Sequence, residues 1–313
     1  MRRSFVLLLL ASALSGCGTV PSVSGATVSD VPLPWPAEGQ AAVEVEGVGS
    51  LGASGDPDPL PIASVTKVMT AYVILRRHPL RLGDDGPPIT VDRTAADESY
   101  APQESTAPVR EGERLRLRRL LELMMVPSGN NVARLLARWD SGSQERFVER
   151  MNATAHRLGM AATTYTGASG NEDSTVSTAA DQLKLAKEAM RDPVFREVVA
   201  QADTAVPGDA RRLPNTNTLL NKHGVIGIKT GSGTVAGGNL MWASRVRGRL
   251  VLGVILGQVA NTNPVAAKAA ALEAGGKMSA AVERWLLKRP AALLPEPRPT
   301  TPRPAEAIGP AHR

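Results

Sequence analysis

Ser64 and Lys67 stand three residues apart in the run Pro61-Ile62-Ala63-Ser64-Val65-Thr66-Lys67-Val68-Met69-Thr70. On a helix, residues three apart share a face, so this spacing sets an ammonium beside a hydroxyl. A serine hydroxyl is a weak nucleophile until a base takes its proton, and lysine can be that base only when neutral. At a helix N-terminus the unpaired backbone N–H groups also favour developing negative charge. The chemistry within reach is acyl transfer. A Ser-x-x-Lys pair arises on the order of once by chance in a chain this long, so it needs partners. Two follow in order, Ser128-Gly129-Asn130 and Lys229-Thr230-Gly231.

Acyl transfer requires a nucleophile, a base, a proton relay to the leaving group and an oxyanion hole. Ser64 is the expected nucleophile and Lys67 the expected base. Burial beside a second cation, Lys229, would push the Lys67 pKa down, because desolvation and like charge both disfavour the ammonium. Ser128, on a loop facing the cleft, is placed to relay a proton to a leaving nitrogen. Asn130 supplies an amide able to bond both Lys67 and a substrate carbonyl. The N–H groups of Ser64 and Ser232 are the expected oxyanion hole, and Gly231 leaves the strand open to close approach. Taken singly, Lys229 reads as a surface lysine and Ser128-Gly129-Asn130 as an ordinary turn; their order is what counts. His78, His156, His223 and His312 are scattered, so no Ser-His-Asp triad, metal cluster or cofactor is expected.

The elements that must hold these groups follow from periodicity. Val65, Val68, Met69, Tyr72, Val73 and Leu75 recur at helical spacing, predicting a buried helix from near Ser64. Ala41 to Glu46 alternates like a half-buried strand, and Gly47 to Gly55 supplies turns. Between Leu80 and Arg114, charges, prolines and short apolar pieces predict loops or small strands. Leu115 to Met125 predicts an amphipathic helix broken at Pro127, where Ser128 begins the second motif. Val132 to Trp139, Phe147 to Leu158 and Ala179 to Met190 predict further helices, with Ser143 and Thr178 as N-caps. Val225 to Thr230, Asn239 to Ser244 and Leu250 to Leu256 predict an antiparallel meander, and Pro264 to Leu287 a last helix with a gap at Gly275-Gly276. The predicted class is α/β (α+β): an antiparallel sheet joined by the N-terminal strand, with flanking helices and a helical lobe. No internal repeat is evident.

With 313 residues and 42% apolar content, the chain can bury a sizeable core. Its formal charge is +6, or +4 once Arg2 and Arg3 are set aside. No basic run is interleaved with aromatics, so nucleic acid is not an expected partner. The single cysteine, Cys17, excludes an internal disulfide. It ends a leader in which Arg2-Arg3 precede an apolar run from Phe5 to Leu14, too short to span a bilayer. Leu14-Ser15-Gly16-Cys17 resembles a bacterial lipobox, which implies cleavage after residue 16 and lipidation of Cys17. Arg2-Arg3-Ser4-Phe5 is also similar to a twin-arginine signal. The expected organisation is a leader over 1–16, a tether over 17–38, a catalytic domain over 39–289 and a Pro-rich tail over 290–313. Such a chain would sit on the outer face of the bacterial cytoplasmic membrane as a monomer.

The three motifs form the signature set of penicillin-recognising serine acyltransferases. From about Ala41 to Gln258 the chain resembles the serine D-alanyl-D-alanine carboxypeptidases among the low-molecular-mass penicillin-binding proteins. The likeness is carried by Ile62 to Thr70, Met125 to Asn131, Ser177-Thr178-Ala179-Ala180-Asp181 and Gly227 to Gly231. It implies a β-lactamase-like fold and removal of the terminal D-alanine from peptidoglycan stem peptides through an acyl-enzyme on Ser64, with β-lactams as acylators. It further implies that Thr230 helps hold the substrate's terminal carboxylate. The chain departs from the family at Gly233-Thr234, where a threonine often comes one place earlier, and in lacking an arginine from Gly257 to Lys268. A β-lactamase would need a glutamate after the second motif; Glu172 and Asp173 lie there without a Glu-x-x-x-Asn context. A lipid-anchored binding protein with an inert cleft would have lost Ser64, Lys67 or Lys229.

Overall fold

A computed structural model describes residues 31–289; the leader, Cys17 and the Pro-rich tail lie outside the described residues. In chain order the elements are β1 (Gln40–Val45), β2 (Gly49–Ser54), β3 (Leu60–Pro61), a 3-10 turn (Ala63–Thr66), α1 (Lys67–Arg77), β4 (Pro88–Thr90), α2 (Arg93–Glu98) and β5 (Arg114–Arg116). They continue with α3 (Leu117–Met125), α4 (Asn130–Ser141), α5 (Gln144–Arg157), β6 (Val176–Ser177), α6 (Ala179–Ala189) and α7 (Pro193–Val199). The chain closes with β7 (Asp203–Ala205), β8 (Arg212–Pro214), β9 (Val225–Gly233), β10 (Gly237–Val246), β11 (Arg249–Gln258) and α8 (Pro264–Lys288).

Five strands form one antiparallel sheet in the order β2-β1-β11-β10-β9. Side chains alternate across a strand, and here both faces are buried. Ala42, Met241, Ala243, Leu252 and Val254 point toward the helical lobe. Val43, Leu240, Trp242, Val251 and Ile255 point toward α8. Covering both faces explains why β10 and β11 read as continuous apolar runs rather than alternating ones. The helix α8 lies close because its contact stripe is small. A Cβ on Gly238 would fall 1.8 Å from the Ala267 carbonyl oxygen, and one on Gly275 would fall 2.3 Å from Leu240 Cδ2. Val31 and Leu33, in the segment read as a tether, are buried in the cluster under this helix, and Trp35 packs beside them.

Several predicted elements change in detail. Ser64 sits in the 3-10 turn, and the α-helix begins only at Lys67. The stretch from Leu80 to Arg114, expected as loops or small strands, also holds α2, whose Asp92 carboxylate accepts from Ala95 N–H. The helix α7 was not anticipated; Asp192 caps it, accepting from Val194 and Phe195 N–H, with Pro193 at its first position. Gly275-Gly276 leaves no gap, and α8 runs unbroken for 25 residues. The Ser143 and Thr178 hydroxyls cap α5 and α6 as the sequence predicts.

Candidate active site

The first motif is held by an unusual backbone. Ala63, immediately before the nucleophile candidate, has φ +45°, a left-handed conformation that disfavours a residue with a Cβ. Two contacts enforce it. Thr66 Oγ1 donates to the Ala63 carbonyl at 2.7 Å, and Gly170 is so close to that carbonyl that a Cβ there would fall 2.0 Å from its oxygen. The turn leaves Ser64 half-buried at the head of α1, while Lys67 is fully buried.

Lys67 Nζ meets three oxygens: Ser64 Oγ at 2.8 Å, Asn130 Oδ1 at 2.5 Å and the Ser169 carbonyl at 2.7 Å. A neutral amine has two N–H donors and one lone pair. The amide and carbonyl oxygens can only accept, so they take the two N–H bonds, and the lone pair is left for the Ser64 hydroxyl. Electrostatics favour this state. Burial holds the Lys67 pKa well below its ordinary value, reinforced by the charges of Lys229 and Arg134 and opposed by Glu172 and Glu104.

The second motif begins where α3 ends. Ser128 is buried with φ +72°, and Asn130 opens α4. Among the described residues no hydrogen bond joins Ser128 Oγ to Lys67 or Lys229. Asn131 does not cap the helix. Its amide ties down the preceding loop, accepting from Ala107 N–H and donating to the Ala95 and Ala107 carbonyls.

The third motif lies inside β9, the edge strand of the sheet. Lys229 is buried, and its Nζ donates to the Thr230 carbonyl at 2.9 Å. Burial first, and then the charge of Lys268 on α8, lowers its pKa to about 7. Thr230 Oγ1 donates to Thr216 Oγ1 at 2.7 Å. Gly231 lets β9 touch the 3-10 turn, since a Cβ there would fall 3.0 Å from Ser64 N and 2.9 Å from the Ile62 carbonyl oxygen. Ser232 follows on the same edge, partly exposed.

Thus Ser64, Lys67 and Asn130 are in direct contact, Lys229 lies within electrostatic reach, and Gly231 abuts the nucleophile turn. Ser128 is near in sequence and makes no bond to them. Four contributors were missed by sequence reasoning. The Ser169 carbonyl is backbone and carries no side-chain signal. Arg134 and Glu104 form an ion pair at 2.7 Å beside Asn130. Lys268 bears on Lys229. An arginine four residues after Asn130, inside the apolar run Val132 to Ala137, was the one legible hint. Glu172 Oε2 is buried against Gly167 with no hydrogen-bond partner among the described residues.

Comparison with known proteins gives a consistent picture. A family profile described as D-alanyl-D-alanine carboxypeptidase (Peptidase S11) matches residues 41–260. The D-alanyl-D-alanine carboxypeptidase of Streptomyces sp. strain K15 is 35% identical over 209 residues, covering 62% of this chain and 71% of that one. A D-alanyl-D-alanine endopeptidase of Pseudomonas aeruginosa is 32% identical over 225 residues, covering 70% and 69%. The crystal structure of the Streptomyces K15 DD-transpeptidase superposes with a TM-score of 0.68 at 28% identity, covering 80% of this chain and 100% of that one. Penicillin binding protein 6B from Escherichia coli superposes with a TM-score of 0.65 at 27% identity, covering 79% and 81%.

Proposed function

We propose a reaction path and an address for this chain from the premise that it belongs to the D-alanyl-D-alanine carboxypeptidase family, serine peptidases that act on peptidoglycan peptides and bind β-lactams. The observation that carries the path is the buried Lys67 amine, 2.8 Å from Ser64 Oγ with its other two neighbours both acceptors. The Ser64 proton passes to Lys67 Nζ as Oγ bonds to the carbonyl carbon of the penultimate D-alanine. The tetrahedral oxyanion is held by the N–H groups of Ser64 and Ser232. Collapse breaks the peptide C–N bond, and a proton relayed from Lys67 through Ser128 neutralises the departing D-alanine amine. Water then resolves the ester on Ser64. Lys229 and Thr230 supply the amine and hydroxyl that receive the substrate's terminal carboxylate.

A labelled penicillin tests the nucleophile. The leaderless protein is expected to form a stable covalent adduct and Ser64→Ala to form none; labelling that survives the substitution removes the assignment. Rapid β-lactam turnover would instead favour a hydrolase of the β-lactamase kind. Synthetic muropeptides read by mass spectrometry separate loss of terminal D-alanine from cleavage of a cross-link. The address proposed is the outer face of the cytoplasmic membrane, supported by the lipobox-like Leu14 to Cys17. Cys17→Ser is expected to shift the protein from the membrane to the soluble fraction, and unchanged retention refutes the anchor.

A further inference from the structure

Glu104 lies outside all three motifs, in the segment between α2 and β5, yet it touches what surrounds the Lys67 amine. Its Oε2 accepts from Asn130 Nδ2 at 3.1 Å and from Arg134 Nη2 at 2.7 Å, and its Oε1 accepts from Asn171 Nδ2 at 3.0 Å. The neighbouring Ser105 carbonyl accepts from Asn130 N–H at 2.8 Å, so the same two residues grip Asn130 by backbone and side chain. The segment itself is fixed. Asn131 bonds its Ala107 peptide, and the Ser99 hydroxyl lies 3.1 Å from the Ala107 carbonyl.

The consequence is one of donors and acceptors. An asparagine amide has an oxygen side and an NH2 side, and which one faces Lys67 decides whether Lys67 can be a base. An ionised carboxylate only accepts, so Glu104 attracts the NH2 side and turns the oxygen toward Lys67 Nζ. With the amide reversed, NH2 would face the amine and claim its lone pair, leaving none for Ser64. The bond to Asn171 extends this hold to the loop carrying the Ser169 carbonyl, the other acceptor of a Lys67 N–H.

We infer that Glu104 is a positioning residue for acylation: it orients the Asn130 amide and anchors the Ser169 loop, so that the free electron pair of Lys67 is aimed at the Ser64 hydroxyl. This rests on the proposed role of Lys67 as base.

The test is the rate of acylation by a fluorescent penicillin, followed from pH 5.5 to 9 in the full leaderless protein. Wild type is expected to show a rate that rises with pH as Lys67 loses its proton. Glu104→Gln keeps the shape and removes the charge and the enforced orientation. Its plateau is expected to fall tenfold or more. Its acidic limb is expected to move to lower pH, because Glu104 is one of the two carboxylates opposing Lys67 deprotonation. Glu104→Asp keeps an acceptor and is expected to recover part of the plateau and restore the limb. Glu98→Gln is the control for a merely structural role: Glu98 Oε2 also accepts from Arg134, at 3.0 Å, without touching Asn130. It is expected to lower Tm while leaving the limb in place. Independently of activity, the Asn130 side-chain NH2 resonance of 15N-labelled protein is expected to shift in Glu104→Gln. An unchanged plateau and limb in Glu104→Gln, or an unmoved Asn130 resonance, overturns the Glu104 assignment alone. Acylation that proceeds at the wild-type rate in Lys67→Ala overturns Lys67 as base and the inference with it.

Discussion

Replacing Lys229 by methionine is expected to make the protein more stable and less active, with both effects tied to pH. The side chain is fully buried, and its pKa falls from 10.5 to about 7. At about 1.4 kcal/mol per pH unit, that gap is a folded-state penalty on the order of 5 kcal/mol. Below pH 7 the lysine is protonated in folded and unfolded chains alike, and the folded protein bears all of it. Between pH 7 and 10.5 the unfolded chain binds more protons than the folded one, so stability rises with pH. By pH 9 the remaining penalty is about 2 kcal/mol by the same linkage. Lys229→Met removes the penalty at every pH and forfeits the bond to the Thr230 carbonyl, about 1–3 kcal/mol. Urea unfolding should therefore find the variant about 2–4 kcal/mol more stable at pH 6 and nearly level with wild type at pH 9. Because the Lys229 charge also helps to lower the Lys67 pKa, penicillin acylation should slow and its acidic limb should move to higher pH. A stability difference that stays constant with pH, or a variant weaker than wild type at pH 6, refutes the reasoning.

Three further substitutions probe other links. Lys268→Met removes a charge that depresses Lys229, so the pH at which wild-type stability begins to rise should move above its present position near 7, again read by urea titration. Gly253→Ala would put a Cβ 2.0 Å from Trp242 Cη2 in the paired strand, and overpacking should lower stability by about 1–3 kcal/mol in thermal unfolding. Ala63→Gly relaxes the φ +45° residue before the nucleophile; it should leave stability within about 1 kcal/mol of wild type or raise it, while acylation slows as the turn loosens.

What the sequence made legible follows from how each feature is encoded. The late strands were readable because a sheet covered on both faces demands unbroken apolar runs, and α3 and α4 because their apolar residues recur at helical spacing in helices buried on most sides. The helix α2 was opaque, since Arg93 to Glu98 buries only Ala95 and carries no stripe to read. In α7 the Asp192-Pro193 start signal was present but led only a short run. Gly275 looked like a break and is instead the place where α8 settles onto Leu240. At the site, Ser64, Lys67, Asn130 and Lys229 were visible because their chemistry resides in side chains at fixed local spacing. Ser169 acts through its backbone, and Glu104 matters through Asn130, Arg134 and Asn171, 26, 30 and 67 residues away, so no local pattern could announce either.

The pairing of β1 with β11 carries a consequence in time. Gln40 lies opposite Leu256 and Val45 opposite Val251, so the first strand of the sheet waits for the last strand among the described residues to be synthesised. Contacts so distant along the chain form late and slowly. Gly231 on β9 meets the Ser64 turn, and β9 joins β1 within the sheet only through β10 and β11, so the site is complete only when that closure is. The reactive serine is therefore armed late, once strands from the two ends of the described residues have come together.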